Sequence, residues 1–459
     1  MKWGVVPWTV MLFCLSGNAQ ENKPTFLFTN DFTYQRNALA TGPNQFYNSS
    51  SLFVKWANWA TGLTLRGHNF YKQSSDWTLP KAQYDVFRKY AQYATDSFEI
   101  QAGDFHSVLG RGLVLSVLQN EKAFRDRTVL GGDFHYHARG WDFRTLGGSV
   151  EDELEQQKWQ VAGGEAVRDY YKGNRIGVHA SFIHDSNTFQ QLGDRLAWSV
   201  SWSADKFPGG FSYYAEISRL NFRDPFLMDG SGYYANLGWT RNNVSLLFEY
   251  KKYKNFSNEL NNPPSADRGD EASDLNDSET FRLYSQYSFF NPDIIPFVSI
   301  GRVQEAGVVG PQVYAGLNAT ELWGKLDGSF SYGLKDVFYP VKITEGHILY
   351  RLTDAVAVDL SSRDKRYTQR YYQFNETDYF SQVSWAPHGA VFFQKQYSRQ
   401  PIDGRNHFHS GGFRINLKRD SYFEFSTGAM RGGEVCSSGQ CIFLPPFRGW
   451  KVGLFTMFR

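Results

Sequence analysis

The residues best suited to chemistry lie close together between positions 133 and 144. They comprise two imidazoles, two carboxylates and a guanidinium group, and they are Asp133, His135, His137, Asp142 and Arg144. A tight turn at 139–140 would place all five on one face of a β-hairpin, because alternate residues of a strand point the same way. His137 would then lie opposite Asp142, and the other histidine opposite Arg144.

This cluster has three chemical interpretations. Two imidazoles on one face of a strand can share a metal ion, and a histidine–carboxylate pair can act in general acid–base catalysis. Both interpretations require partners that the sequence does not place. The third interpretation is a solvated lumen wall of mixed charge near the periplasmic rim, in which all five residues would line the pore. We favour the third, and we therefore predict neither a metal site nor a cofactor.

The segment 109–126 has a composition that could control the passage of solutes. Its apolar residues would have nothing to bury against in external water, and they are Leu109, Leu113, Val114, Leu115, Val117 and Leu118. The segment either folds inward against a wall or extends a strand beyond it, and the sequence leaves both arrangements open. In the inward arrangement, a cationic constriction that selects anions would be formed by Arg111, Arg125 and Arg127.

Motifs in and beside this segment carry a family resemblance. Gly103-Asp104-Phe105 is followed by Leu109-Gly110-Arg111-Gly112-Leu113 and then by Thr128-Val129-Leu130-Gly131-Gly132. This succession resembles a group of uncharacterised, porin-like outer-membrane β-barrel proteins of Gram-negative bacteria. The resemblance implies a barrel without an established substrate. By its position, 109–126 is also similar to the third loop of general porins, which narrows the pore.

The remaining histidines do not predict catalysis. A barrel phospholipase needs a serine–histidine pair on its outer wall, and a barrel protease needs acidic residues with a histidine at its rim. His106-Ser107, His184-Asp185, His407 and His409 follow no such motif, so we predict that the protein is not an enzyme. Nucleic-acid binding is also excluded, because an exported chain with 48 basic and 46 acidic residues is nearly neutral.

The N-terminus and the cysteines both indicate export. Residues 1–19 contain Lys2, an apolar core and the small-residue pattern Gly17-Asn18-Ala19, which is typical of a cleavable signal peptide. The mature chain then retains two cysteines, Cys436 and Cys441, in a loop rich in glycine and serine. Their spacing predicts a disulfide in an oxidising compartment. A zinc site would need two more ligands nearby.

Composition and periodicity predict membrane-spanning strands. Aromatic residues make up 17% of the chain, but the mean hydropathy is only −0.48. Apolar and polar residues alternate in 196–203, 211–218, 244–251 and 281–289, as in strands that face lipid on one side and water on the other. The lipid-facing positions would include Trp198, Val200, Trp202, Leu246, Phe248, Leu283, Val452 and Leu454.

Connection lengths extend this prediction to a whole domain. Tight links alternate with longer polar segments, namely 35–46, 72–82, 109–126, 221–230, 255–277, 364–377, 400–405 and 432–446. Short periplasmic turns and longer external loops are typical of membrane barrels. We therefore predict that residues 20–459 form one all-β domain, a transmembrane antiparallel up-and-down barrel with periplasmic termini. The best strand count is 24, within a range of 18–24.

Function and partners follow from this fold. A barrel of this size is too wide for side chains to fill. We predict an outer-membrane channel for passive or selective passage of small solutes. Strand patterning from about Thr25 leaves no separate plug domain, which disfavours a TonB-dependent transporter. The alternative is a non-conducting barrel that scaffolds secretion, surface assembly or adhesion.

The last strand and the charged loops indicate the remaining partners. The last strand, 450–458, ends in the aromatic Phe458 and resembles the signal by which barrel assembly machinery recognises outer-membrane proteins. The basic, tyrosine-rich loop 363–372 suits lipopolysaccharide phosphates. The acidic residues of 255–277 suggest a solvated loop rather than a calcium site.

Overall fold

The computed structural model describes most of the chain between Lys23 and Phe458. The described ranges are 23–37, 44–68, 83–120, 125–152, 157–170, 173–185, 193–224, 227–257, 260–262, 264, 277–289, 294–305, 307–337, 340–368, 373–402, 404–418, 420–437, 440–444 and 447–458. The predicted signal peptide, 1–19, lies outside them. Within these ranges, no helix has the length and apolar character needed to cross a membrane.

The described chain is built from strands. In chain order they are β1 Thr25–Asn37, β2 Gln45–Trp56, β3 Trp59–His68, β4 Gln83–Ala94, β5 Phe98–Phe105, β6 Ser107–Leu109, β7 Leu115–Val117, β8 Gln119–Asn120, β9 Arg125–Asp126, β10 Val129–Ala138, β11 Trp141–Asp152, β12 Gln157–Tyr170, β13 Asn174–Asp185, β14 Arg195–Phe207, β15 Phe211–Phe222, β16 Gly230–Arg241, β17 Val244–Lys254, β18 Asp277–Tyr287, β19 Ile294–Glu305, β20 Val308–Leu322, β21 Leu326–Asp336, β22 Pro340–Arg351, β23 Val356–Thr368, β24 Gln373–Trp385, β25 Gly389–Ile402, β26 Arg405–Lys418, β27 Ser421–Met430, β28 Gly433–Ser437, β29 Gln440–Leu444 and β30 Phe447–Phe458.

Twenty-four of these strands close into one antiparallel barrel. Each barrel strand pairs with the next along the chain, except that β5 pairs with β10 and β27 with β30. The first and last strands then pair with each other, and Phe28 lies opposite Phe458. Closure removes the two free edges that an open sheet would leave. The predicted fold and its count of 24 strands are confirmed.

Side-chain alternation gives the wall two different faces. In β13, Val178 and Phe182 point outward and are exposed, whereas His179 and Ser181 point inward and are buried. Six predicted lipid-facing residues are indeed exposed on the outer face, namely Trp198, Val200, Trp202, Leu246, Phe248 and Leu283. Apolar side chains outside and polar side chains inside are the arrangement that a bilayer imposes on a barrel with an aqueous interior.

The tight turns lie at the end of the barrel where β1 begins and β30 ends. Ala57, Arg139 and Asn242 occupy such turns and have positive φ angles near 51°. This conformation is that of two-residue hairpin turns, whose twist matches the twist of the paired strands. The other end holds the longer connections, among them 69–82, 186–194 and 255–276.

Two predicted external loops are instead mostly strand. In the region predicted as the loop 364–377, β23 continues to Thr368 and β24 begins at Gln373. In 400–405, only 403 and 404 separate β25 from β26. Charged and tyrosine residues indicated loops there, but a strand pair that continues into water satisfies its own backbone and keeps such side chains solvated. Arg366, for example, donates a 2.7 Å hydrogen bond to Asp364.

Candidate functional site in the barrel interior

Residues 107–118, here called the inner segment, fold into the barrel. The side chains of Leu109, Leu113, Val114, Leu115 and Val117 are 0% exposed. They pack against apolar side chains on the inward face of the wall, which include Trp159, Val161, Ile183, Leu220, Tyr234 and Tyr253. Of the two arrangements that the sequence left open for these residues, the structure has the inward one.

Glycines allow the inner segment to come this close to the wall. A Cβ atom on Gly163 of β12 would lie 2.9 Å from Leu109 Cδ1, so a larger residue would push the segment away. Gly110 and Gly112 have φ angles of +61° and +82°, in the left-handed region that other residues rarely adopt. A Cβ on Gly112 would also lie 2.6 Å from the Asn262 carbonyl oxygen.

A second stretch of chain, after β17, holds the inner segment from its other side. The Ser116 amide donates a 2.6 Å hydrogen bond to the Leu260 carbonyl, and the Asn262 amide donates a 3.0 Å bond to the Gly112 carbonyl. Phe256 and Leu260 are fully buried in the same apolar cluster. Our prediction of a solvated loop over 255–277 is therefore wrong for Phe256 and for 260–262. The acidic residues 267, 270, 271 and 274 lie outside the described residues.

Two carboxylates of the wall bind the tip of the inner segment. Glu216 Oε2 accepts a 3.1 Å hydrogen bond from the Arg111 amide, and Glu165 Oε2 lies 3.5 Å from the Gly110 amide nitrogen. Glu216 is itself buried and accepts further bonds from Ser199, at 2.5 Å, and from the Tyr214 hydroxyl. Burial of a carboxylate destabilises the fold unless such donors surround it. The same donors fix the position of the tip.

A glutamate, a histidine and a serine form a line of successive contacts next to Glu216. His179 Nδ1 lies 2.9 Å from Glu165 Oε2, and His179 Nε2 lies 2.9 Å from Ser201 Oγ. This order resembles that of hydrolytic triads. However, Ser201 is buried and also contacts Tyr214. The arrangement holds the inner segment in place.

The three predicted cationic residues have different surroundings. Arg111 is exposed, and its guanidinium lies 4.3 Å from the centre of the Tyr214 ring, a favourable cation–π geometry. Arg127 is buried, with its guanidinium 5.4 Å from the Trp159 ring, and so it is withdrawn from the interior water. The Arg125 side chain lies outside the described residues.

The predicted cluster on β10 and β11 faces the interior. His137 pairs with Asp142 and His135 with Arg144, as predicted. Arg144 donates three hydrogen bonds to Asp133, of 3.0, 3.2 and 2.6 Å. The aromatic residues of the opposite face are exposed on the outside of the barrel, and they are Phe134, Tyr136 and Phe143. The cluster lies toward the tight-turn end of the barrel, on strands next to β12, which the inner segment contacts.

Sequence reasoning missed most of the wall residues that hold the inner segment. Glu165, His179, Ser201, Tyr214 and Glu216 come from four different strands. Each occupies an inward position in an alternating strand, and this alternation is the signal that could have identified them as interior residues. Their mutual contacts depend on strand register, which no single segment of sequence reveals.

The predicted disulfide is described only at the level of the backbone. Cys436 in β28 lies opposite Cys441 in β29. Their side chains lie outside the described residues, so the disulfide stays a prediction.

Several solved structures have a similar fold. An E. coli P pilus tip assembly intermediate, PapC-PapD-PapK-PapG, matches 96% of this chain and 62% of its own, with 8% identity and a TM-score of 0.54. The Pseudomonas aeruginosa siderophore receptor PirA matches 95% and 81%, with 8% identity and a TM-score of 0.52. The copper transporter OprC matches 96% and 81%, with 10% identity and a TM-score of 0.51.

These likenesses show the fold of outer-membrane barrels and nothing finer, because the identities are so low. A search of curated proteins gave no match. A family model, described as a family of unknown function, DUF6029, matches residues 14–323, which is more than half of the chain. The chain therefore belongs to the DUF6029 family.

Proposed function

We propose that the protein is a channel of the outer membrane through which small solutes pass, passively or with selectivity, and that the inner segment narrows it. One observation carries the proposal, namely the burial of the inner segment against the inward face of β12 to β17. A segment in this position occupies part of the cross-section that solutes would use.

The water exposure of other parts of the inner wall also supports passage. On β22 and β23, the inward-facing side chains of Glu345, His347 and Arg363 are 50%, 42% and 37% exposed. Polar and ionisable side chains keep this exposure where water reaches them, because a dry interior would demand complete pairing. The proposed channel therefore runs between the inner segment and this uncovered wall.

Arg111 is the residue that we expect to influence ion preference. It lies at the tip of the inner segment, and its exposed guanidinium would attract anions into the narrow region. Replacement by glutamine keeps a long polar side chain but removes the charge. Arg111→Gln should therefore lower the preference for anions over cations while changing the size of the conductance only slightly.

Conductance of the purified protein in planar lipid bilayers tests the proposal. We expect stable steps that become larger when residues 107–118 are replaced by a glycine–serine segment of equal length. Heat-modifiable electrophoretic mobility would show that the variant barrel still folds. A folded wild-type barrel that stays silent and co-purifies with other proteins would contradict the channel and favour the scaffold for secretion, surface assembly or adhesion.

Location and partners form part of the same proposal. The outer belt of apolar and aromatic side chains would contact membrane lipid, and basic residues at the long-connection end would meet lipopolysaccharide phosphates. The tight turns and both chain ends would lie in the periplasm. The closing strand β30, with Phe458 near its end, would be the element that barrel assembly machinery recognises. Membrane fractionation of cells that express the protein tests the location.

A further inference from the structure

A group of potential metal ligands lies inside the barrel, apart from the inner segment. His135, His137 and Asp142 each offer a ligand atom, and these atoms all lie within 4.8 Å of one another. His135 Nε2 contacts Asp142 directly, and His137 Nδ1 lies 3.5 Å from Asp142 Oδ2. The sequence analysis favoured a solvated wall here, but because the ligand atoms converge we propose instead that this group binds a divalent transition-metal ion.

The hairpin imposes this convergence. Arg139 and Gly140 have φ angles of 51° and 77°, which fit a two-residue turn and fix the register of β10 and β11. That register places Asp142 opposite His137 and diagonal to His135. The two imidazole rings are 3.9 Å apart between centroids. The ligands come from a rigid strand pair, which favours binding because little ordering is needed when the ion arrives.

The charges around the group favour a cation. Inward-facing positions of β5, β10, β11 and β12 carry five carboxylates, whereas the inward-facing guanidinium groups beside them number two, one on β11 and one on β13. The carboxylates are Glu99, Asp133, Asp142, Glu165 and Asp169, and the guanidinium groups are Arg144 and Arg175. Arg144 is bound to Asp133 and Arg175 to Asp169, the latter at 2.7 Å. Arg175 Nη2 also forms a longer ion pair with Asp142, at 3.8 Å, and a bound metal ion would replace this contact. Glu165, further along this row, is bound by His179.

Accessibility and ligand type indicate which metal ions could bind to the group. The side chains of His135, His137 and Asp142 are 28%, 49% and 26% exposed, so an ion can reach them and keep a water ligand. Glu99 is the register partner of His135 on β5 and offers a further carboxylate. Imidazole with carboxylate suits Zn²⁺, Cu²⁺ or Ni²⁺, whereas Ca²⁺ and Mg²⁺ prefer sites made only of oxygen.

Zinc binding by the tag-free full-length protein in detergent micelles tests the inference. Competition against a chromophoric chelator should detect one specific site in the wild type. His137→Ala and His135→Ala should each weaken binding at least about tenfold, because even outer-sphere partners of a metal contribute this much. Heat-modifiable mobility would confirm that each variant folds.

His347→Ala is the matched control. His347 also faces the interior and lies 3.0 Å from a carboxylate, Asp359. The described residues include no other cluster of three such ligands, so this variant should bind zinc like the wild type. Absence of binding by the wild type, or an equal loss in the control, would overturn the proposal. The measurement needs no conductance, so its result is independent of the proposed channel.

Discussion

Two sectors of the same wall have opposite environments. In the covered sector, the inward face of β12 to β17, polar residues such as His179, Ser199 and Glu216 are almost completely buried beneath the inner segment. In the uncovered sector, the inward face of β22 to β24, the side chains of Glu345 and His347 remain about half exposed. Both sectors have the same alternating strands. The difference therefore comes from what packs on them.

The comparison shows that inward-facing polar residues of alternating strands can either remain hydrated or hold a packed segment. A polar group that water reaches gains little from an ion pair, typically about 0–1 kcal/mol. A polar group that is sealed from water must find a protein partner, and loss of that partner costs about 1–3 kcal/mol or more. Glu216 and Glu345 are both inward-facing glutamates, but only Glu216 should be essential to the architecture. Substitutions in matched pairs can test this.

A charge introduced beneath the inner segment should have the largest effect. Leu113→Asp would bury a carboxylate in an apolar cluster at a cost of several kcal/mol, so we expect the segment to leave the wall. Limited proteolysis should then cut within 107–118, and single-channel conductance should rise. Ser361→Asp places the same charge on the uncovered sector and should do neither. Resistance of both variants to protease would contradict the assignment of the covered sector.

Loss of the charge at Glu216 should have the next largest effect. Glu216→Gln replaces an acceptor of three hydrogen bonds with a neutral amide, and hydrogen bonds to charged groups contribute about 1.5–3 kcal/mol each. We expect faster hydrogen exchange at the backbone amides of 109–117. Glu345→Gln in the uncovered sector should leave exchange there unchanged. Equal effects of the two substitutions would show that the sectors do not differ as described.

A single added methyl group should test how closely the inner segment packs. Gly163→Ala would bring Cβ to 2.9 Å from both Leu109 Cδ1 and the Ala180 carbonyl oxygen, and overpacking of this kind costs about 1–3 kcal/mol. The expected result is a lower thermal stability of the inner segment, measured by protease resistance against temperature. Gly346→Ala is the control, since its nearest atom would be Ser362 Oγ at 3.5 Å. If the control loses as much stability, the packing argument fails.

The smallest effect should come from low pH, through the Asp194 carboxyl that lies just before β14 at the rim of the covered sector. His184 and Arg223 donate hydrogen bonds of 2.6 and 2.9 Å to Asp194, and these bonds hold the pKa of that carboxyl below its usual value. A lowered pKa in the folded state stabilises the fold above the pKa of the unfolded chain. This stability is lost as the pH falls through the folded pKa. Asp194→Asn should remove that part of the acid dependence of thermal unfolding.

The barrel could be predicted from local sequence because its determinants are local. Alternation at period two, turn residues and connection lengths each belong to one strand or hairpin, and together they predicted closure and 24 strands. The pairing of His137 with Asp142 was predictable for the same reason, since one tight turn fixes it. Where charged residues continued a strand beyond its predicted end, as around Arg366, the local pattern indicated a loop and was wrong.

The sequence alone determined the alternating wall, the even number of strands and the apolar character of the inner segment. Only the tertiary structure decided where that segment lies and which wall residues hold it. Leu109 contacts β12, and the amide of Arg111 binds Glu216, 105 residues further along the chain. Contacts of this range depend on the register and curvature of the closed barrel. They arise from the arrangement of many strands together, so the sequence of any single strand does not reveal them.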